Sequence, residues 1–441
     1  MTDAGKTRNW YDAIEVYLNR RILFVLLMGV ASGLPLLLTL STLSYWLSKV
    51  GVDKTTIGLF ALVGVPYSFK FAWSPIIDQV RLPILARLLG RRRSWLVLIQ
   101  AFLAAAIVIM GMTDPTVAPL TVAAAAVAVA FFSASQDIVI DAYRIDILRE
   151  EEQGAGAAVT QAGYRVGLLV AGAGAIALSD FVGWPIIFGV LAAIIVVSMV
   201  VTILAPEPPE PAPPVQGTHR RYDIDALLAW FKTAVIDPFI DFMKHRGWLI
   251  ILAFVLLYKF GDAIGGVMAN PFYNEIGFSG IEIASISKVF GVIATLVGTF
   301  AGGVLVARLG LFRSLVIGGI LQAVTNLLFA LLAVTGKDLT MLTVAIGADN
   351  FTGGLGSAAF VAYLSSLCNR AFTATQYALL TSLMAAGRTV LSAGGGWLAD
   401  HTDWASFFVL TTLLAVPGLL LLFWLSRLYP TPATTASANR P

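Results

Sequence analysis

Apolar residues in this chain come in long blocks with short polar breaks, not in alternation. About 20 helical residues cross the ~30 Å hydrocarbon core of a bilayer, and block after block reaches that length. The pattern predicts twelve spans, at about 22–48, 55–75, 94–113, 117–143, 155–179, 184–204, 247–270, 281–307, 312–335, 339–367, 373–399 and 404–427. Residues 205–215 read APEPPEPAPPV, an extended linker dividing six spans from six. An amphipathic stretch follows over 222–245, with Leu227, Leu228, Phe231, Val235, Ile236, Phe239 and Phe242 at helical spacing. Ahead of the first span, Trp10, Ile14, Tyr17 and Leu18 share one face of a segment suited to the membrane surface. That segment carries too many charges for a cleavable signal, so the first span is expected to be retained. The expected organisation is an amphipathic segment (1–21), a six-helix bundle (22–204), a linker (205–246), a second six-helix bundle (247–427) and a tail (428–441).

Composition supports an all-α membrane protein. The chain has 441 residues, 58% hydrophobic and 12% charged, whereas a soluble chain carries roughly 25% charge. A net charge of +3 gives no support for nucleic-acid binding, and the single Cys368 can form no internal disulfide. His219, His245 and His401 are too scattered for a metal site, and no phosphate-binding loop or nucleophile elbow is present. An ATP-driven pump is therefore not expected. An embedded transferase would have only Asp137 and Asp141 as a reactive cluster. The expectation is a transporter, not an enzyme, with no metal and no cofactor other than a coupling proton. With the N-terminus inside, loops and span ends on the inner side hold 21 Lys and Arg against 3 outside, which predicts both termini in the cytoplasm.

The two halves repeat one another. Gln153 to Arg165 and Gln376 to Arg388 are matching Gln-to-Arg stretches, each at the start of a span. Small residues follow in both (Ala171 to Gly174; Gly394 to Gly396), then Leu-x-Asp before a tryptophan (Leu178, Asp180, Trp184; Leu398, Asp400, Trp404). Ala142-Tyr143 precedes Ala362-Tyr363 by 220 residues, the offset that also separates Trp184 from Trp404. Parallel repeats of six spans suit transporters whose halves move about a central site.

Two six-span halves with basic loops after spans 2 and 8 (Asp78 to Arg93; Gly302 to Arg313) resemble the major facilitator superfamily. An insertion separates Asp78 from the Gly90-Arg91-Arg92-Arg93 run, a departure from that loop pattern. Ala31-Ser32-Gly33-Leu34-Pro35, Phe69-Lys70-Phe71-x-Trp73-Ser74-Pro75, Ser133 to Ala142, Gly163-Tyr164-Arg165-x-Gly167 and Leu257 to Ala263 are similar to the AmpG-type muropeptide permeases. The resemblance implies proton-driven import of N-acetylglucosaminyl-anhydro-N-acetylmuramic acid, with or without peptide, from periplasm to cytoplasm across a bacterial inner membrane, by a monomer. The alternative is another substrate such as a sugar, a peptide or acetyl-CoA, the last because eukaryotic acetyl-CoA transporters look like distant relatives.

Charges within spans cost at least ~2.5–3.5 kcal/mol each on insertion scales and mark the candidate site. Lys259 and Asp262 lie on one face of span 7. Asp262 and, on span 10, Asp349 are the candidate proton-coupling carboxylates. The competing reading is a fixed Lys259–Asp262 or Asp349–Arg388 tie. Lys70, Gln136, Asp137, Asp141 and Arg165 form a candidate gate network, with Asp137 expected to pair with Arg165. Candidate substrate contacts are Ser32, Thr39 and Trp46 on span 1, which the resemblance places along the cavity, with Lys259 and Asn270 on span 7 and Asn350 on span 10. Lys288 and Arg388 would add a positive bias toward the substrate's carboxylates. Gln322 and Asn326 share a face of span 9 and are explained at least as well by helix packing.

Overall fold

The computed structural model describes residues 15–52, 60–209, 232–283, 285–286, 290–392 and 394–428. Helices make up most of them, joined by turns and short irregular segments, with no strand among the described residues. The spans are α1 (Arg20–Lys49), α2 (a broken run over 60–79), α3 (Arg91–Met112), α4 (Pro119–Ile147), α5 (Glu150–Leu178) and α6 (Trp184–Leu204) in the first half. The second half holds α7 (Trp248–Ile276), α8 (Gly291–Leu309), α9 (Leu311–Thr335), α10 (Leu339–Ser366), α11 (Thr373–Ser392) and α12 (Trp404–Leu428). Nine of these are long and apolar enough to cross a membrane, the exceptions being α2, α10 and α11. In α2, Gly64, Pro66 and Pro75 break the helix into short turns.

The chain forms two compact units, one comprising Leu18–Phe242 with Leu367–Ser382, the other Met243–Ser366 and Leu383–Pro441 with Met1–Tyr17.

Glycine sets the closest helix approaches inside each unit. A Cβ on Gly33 would meet the Tyr164 carbonyl, and Gly163 and Gly167 lie equally close to the backbone of α1. Gly298, Gly302 and Gly354 do the same between α8 and α10. These contacts are backbone against backbone, so no side chain can yield. Gly33→Ala and Gly298→Ala are each expected to cost about 1–3 kcal/mol or more, read as lost monodisperse protein and a lower melting temperature in detergent. Gly189→Ala, with nothing within 4 Å of the added carbon, should be neutral.

Proline and small residues place the discontinuities. Pro35 has no N–H for the carbonyl of Ala31, and α1 relaxes one turn later into a π-helical stretch, Leu38–Thr42. The small-residue run of α5 holds a second, Val170–Gly174. The two are joined where Thr42 Oγ1 donates to the Ala171 carbonyl at 2.6 Å. In the repeat, α11 stops at Ser392 and helix resumes at Gly395–Asp400, so the glycine run of the second half is also a break. A further break divides α7 between Leu257 and Phe260 and leaves Lys259 outside helical geometry (φ −106°, ψ 15°).

Candidate functional site

The break in α7 aims a cation into the interior of the second-half unit. Tyr258 Oη donates to the Leu315 carbonyl at 2.8 Å and stacks on Phe360, which fixes the break against α9 and α10. The next residue is Lys259. Its Nζ donates to Gln322 Oε1 at 2.7 Å and reaches the Gly353 carbonyl at 3.5 Å, with Asp262 Oδ2 at 3.7 Å. Asp349, one turn ahead of Gly353 on α10, interacts electrostatically with Lys259 and Asp262. Arg388 acts on Lys259 and Asp262 from α11. Two cations and two carboxylates thus meet on α7, α10 and α11, with the Gln322 amide between them.

The first-half unit has its own cluster. Ser32 Oγ donates to Asp137 Oδ1 at 2.5 Å, joining α1 to α4. Gln136 Nε2 donates to the Ala31 carbonyl at 2.9 Å, filling the acceptor that Pro35 left open. Lys70, buried in the broken α2, acts on both Asp137 and Asp141. Asp141 Oδ1 has Arg144 Nη2 at 3.7 Å.

A third cluster, in the same unit, joins the loop end of α2–α3 to the start of α11. Arg92, 2% exposed, places Nη2 at 2.9 Å from Asp78 Oδ1 and Nε at 2.9 Å from Asp146 Oδ2. Thr373 Oγ1 donates to the other oxygen of Asp146 at 2.8 Å. Asp78 Oδ2 accepts from both the N–H and the hydroxyl of Thr375, each at 3.2 Å. The Thr375 N–H is one of the first-turn amides that a helix leaves without an internal acceptor, so a carboxylate there is stabilised by α11 itself. Gln376 Nε2 bonds the Pro238 carbonyl and Asp241, and the Arg144 guanidinium lies over the Tyr377 ring. Burial beside this cluster pushes the Cys368 thiol up from its ordinary pKa and keeps it protonated.

Residues 22–260 and 250–441 match the Major Facilitator Superfamily model. The chain belongs to the Major Facilitator Superfamily. Among curated relatives, the anhydromuropeptide permease of Escherichia coli (strain K12) is 41% identical over 412 residues, 93% of this chain and 80% of that protein. The putative transporter AmpG 4 of Rickettsia felis is 36% identical over 415 residues, 94% of this chain and 98% of that protein. A solved structure of the proton:xylose symporter XylE is similar in fold, with a TM-score of 0.65 at 14% identity over 95% of this chain and 96% of that one. These relatives place the chain with the AmpG-type membrane transporters.

Within this facilitator fold the sequence candidates fall into three groups. Asp262, Asp349, Lys259 and Arg388 come together, and so do Ser32, Lys70, Gln136, Asp137 and Asp141. Arg165 is exposed on α5, and the guanidinium beside Asp141 belongs to Arg144. Trp46 is 3% exposed and packs against Trp184 and Phe188, so it offers no open ring face. Thr39 Oγ1 bonds back to the Pro35 carbonyl at 3.0 Å. Asn350 spends its oxygen on Thr295 and its nitrogen on the Ile346 carbonyl, each at 2.9 Å, and holds α8 against α10. Lys288 lies outside the described residues; the backbone of Asn270 is part of α7.

Sequence reading gives no role to Asp146, Thr373 or Thr375, and it assigns Gln322 to helix packing. Gln322 looked like helix packing because nothing in its spacing shows Lys259 approaching it. The Asp78-to-Arg93 loop stands out in the sequence, but Thr375, which donates to Asp78, is 297 residues away, and Thr373, which donates to Asp146, is 227 residues from it.

Proposed function

We propose that this chain imports anhydro-muropeptides from periplasm to cytoplasm with protons, by alternating access of its two halves, in a bacterial inner membrane with both termini cytoplasmic. The relatives' permease activity and the excess of basic residues on one set of loops support that reading. The observation that carries the coupling is the Lys259–Asp262–Asp349–Arg388 quartet. With both carboxylates ionised its formal charge is zero. Uptake of one proton makes it +1 in a low-dielectric interior, and a substrate carboxylate then restores neutrality. Proton and anionic substrate are each favoured by the presence of the other, which is the thermodynamic requirement for symport. Arg388 is the first candidate for carboxylate contact, since it is exposed and its guanidinium can engage two oxygens. The Asp78–Arg92–Asp146 cluster acts as the latch, holding the start of α11 while the substrate site is closed to the cytoplasm.

The test is uptake of labelled anhydro-disaccharide peptide by purified protein in liposomes carrying an imposed pH gradient. Unlabelled muropeptide should compete, and free peptide and acetyl-CoA should not. Equal competition by acetyl-CoA would overturn the substrate assignment. In the same assay Arg388→Gln should weaken uptake of the acidic muropeptide by about tenfold or more, the size of a lost charged hydrogen bond of ~1.5–3 kcal/mol. An analogue with its carboxylates converted to amides should lose far less. Equal losses would make Arg388 a structural tie.

A further inference from the structure

The insertion that separates Asp78 from the Gly90–Arg93 run has no part in the latch or in transport as described, yet it is built to a definite shape. Residues 79–90 read QVRLPILARLLG, with no acidic side chain. Both ends are pinned. Trp95 Nε1 donates to the Val80 carbonyl at 2.8 Å, Arg91 Nη1 to the Asp78 carbonyl at 3.0 Å, and Arg93 Nε to the Leu89 carbonyl at 2.7 Å. Gly90, at φ +84°, turns the chain directly from the short helix Leu85–Leu89 into α3. The segment therefore stays at the level where α3 begins, the boundary between hydrocarbon and water.

What it presents there is amphipathic. Ile84 is 75% exposed and Leu88 is 77% exposed, and Arg81 and Arg87 are exposed beside them. At the neighbouring basic positions, Glu207 accepts from the backbone N–H of Arg92 and Arg93 and from the Arg93 side chain, and Arg92 is held by Asp78 and Asp146. Glu207 also covers the first amides of α3, which removes that helix end as an anion site. Exposed apolar side chains flanked by arginines, fixed at a membrane boundary, match the chemistry of an anionic lipid surface.

We propose that residues 80–90 dock into the anionic cytoplasmic leaflet, with Ile84 and Leu88 among the upper acyl carbons and Arg81 and Arg87 on lipid phosphates. The proposal rests on the cytoplasmic placement of this loop argued above and is independent of the substrate. Because the Asp78 carbonyl anchors the loop while its carboxylate belongs to the latch, and Arg91, bonded to that carbonyl, also reaches Asp146 Oδ2 at 3.9 Å, a docked loop holds one side of the latch at a fixed depth.

The experiment uses the full chain carrying Cys368→Ser and Ile84→Cys, with an environment-sensitive fluorophore at position 84, in nanodiscs of mixed phosphatidylcholine and phosphatidylglycerol. Bromine near the ester end of the acyl chains quenches a docked label, and only one lipid class is brominated at a time. Quenching by brominated phosphatidylglycerol should exceed its share of the bilayer, since each arginine near an anionic surface shifts partitioning by about fivefold. The excess should fall in Arg81→Gln with Arg87→Gln. High salt on the unsubstituted arginines should lower it as well and serves as the second measurement if that variant is poorly expressed. An unquenched label, the result also expected if the face were reserved for a soluble protein, would overturn the proposal. Quenching in proportion to bulk composition would overturn it too, because it would show an interfacial loop without anion recognition.

Discussion

Asp262→Asn is expected to abolish accumulation of muropeptide against its gradient while leaving substrate exchange at equal pH intact. One coupled proton allows roughly tenfold accumulation per unit of pH difference, so the variant should settle at equal concentrations inside and outside. The variant should fold, because the shortest hydrogen bond of Lys259 goes to Gln322 and a third acceptor is the Gly353 carbonyl; the ammonium keeps partners when the carboxylate is lost. Asn preserves the shape of Asp262 and removes only its capacity to titrate. Loss of exchange together with accumulation would point to a folding or binding defect. Undiminished accumulation would eliminate Asp262 and pass the role to Asp349, whose electrostatic neighbours include both Asp262 and Lys259.

Most of the fold was legible because bilayer chemistry writes it in composition. Apolar blocks locate the helices, and prolines and small residues locate their breaks. The spans hardest to recognise by apolar length were α2, broken by glycine and proline, and α10 and α11, which carry Asp349, Asn350, Gln376 and Arg388. Polar residues inside a span dilute the apolar signal that marks it, whatever they do there. The site was half legible for a related reason. Intramembrane charges identify themselves one at a time, since each demands a partner, but the identity of the partner depends on tertiary packing. Spacing brought Lys259 near Asp262, whereas Gln322 holds its ammonium more closely. Depth in the membrane matches Asp137 to Arg165, but no spacing shows that Ser32 donates to it. Gln136 shows the finer rule that Pro35 creates an acceptor on α1 which some donor must fill.

Removing the Arg92 guanidinium should have the second large effect, at the latch. Arg92→Gln leaves buried Asp78 with the neutral donors of Thr375, and Asp146 with Thr373 and, at 3.9 Å, the Arg91 guanidinium. Breaking a buried ion pair by removing one partner costs about 3–5 kcal/mol, so release of the α11 start should become roughly two to four orders of magnitude more frequent. The chain carries its own reporter, because Cys368 is its single cysteine and lies half-buried beside this cluster. Maleimide should label it slowly in the wild type, faster with muropeptide present, and fastest in Arg92→Gln. Thr373→Val, which deletes one hydrogen bond to a carboxylate worth ~1.5–3 kcal/mol, should fall between wild type and Arg92→Gln and guards against a variant that does not fold. Labelling that is unchanged in both variants would mean that the cluster braces the loop without gating it.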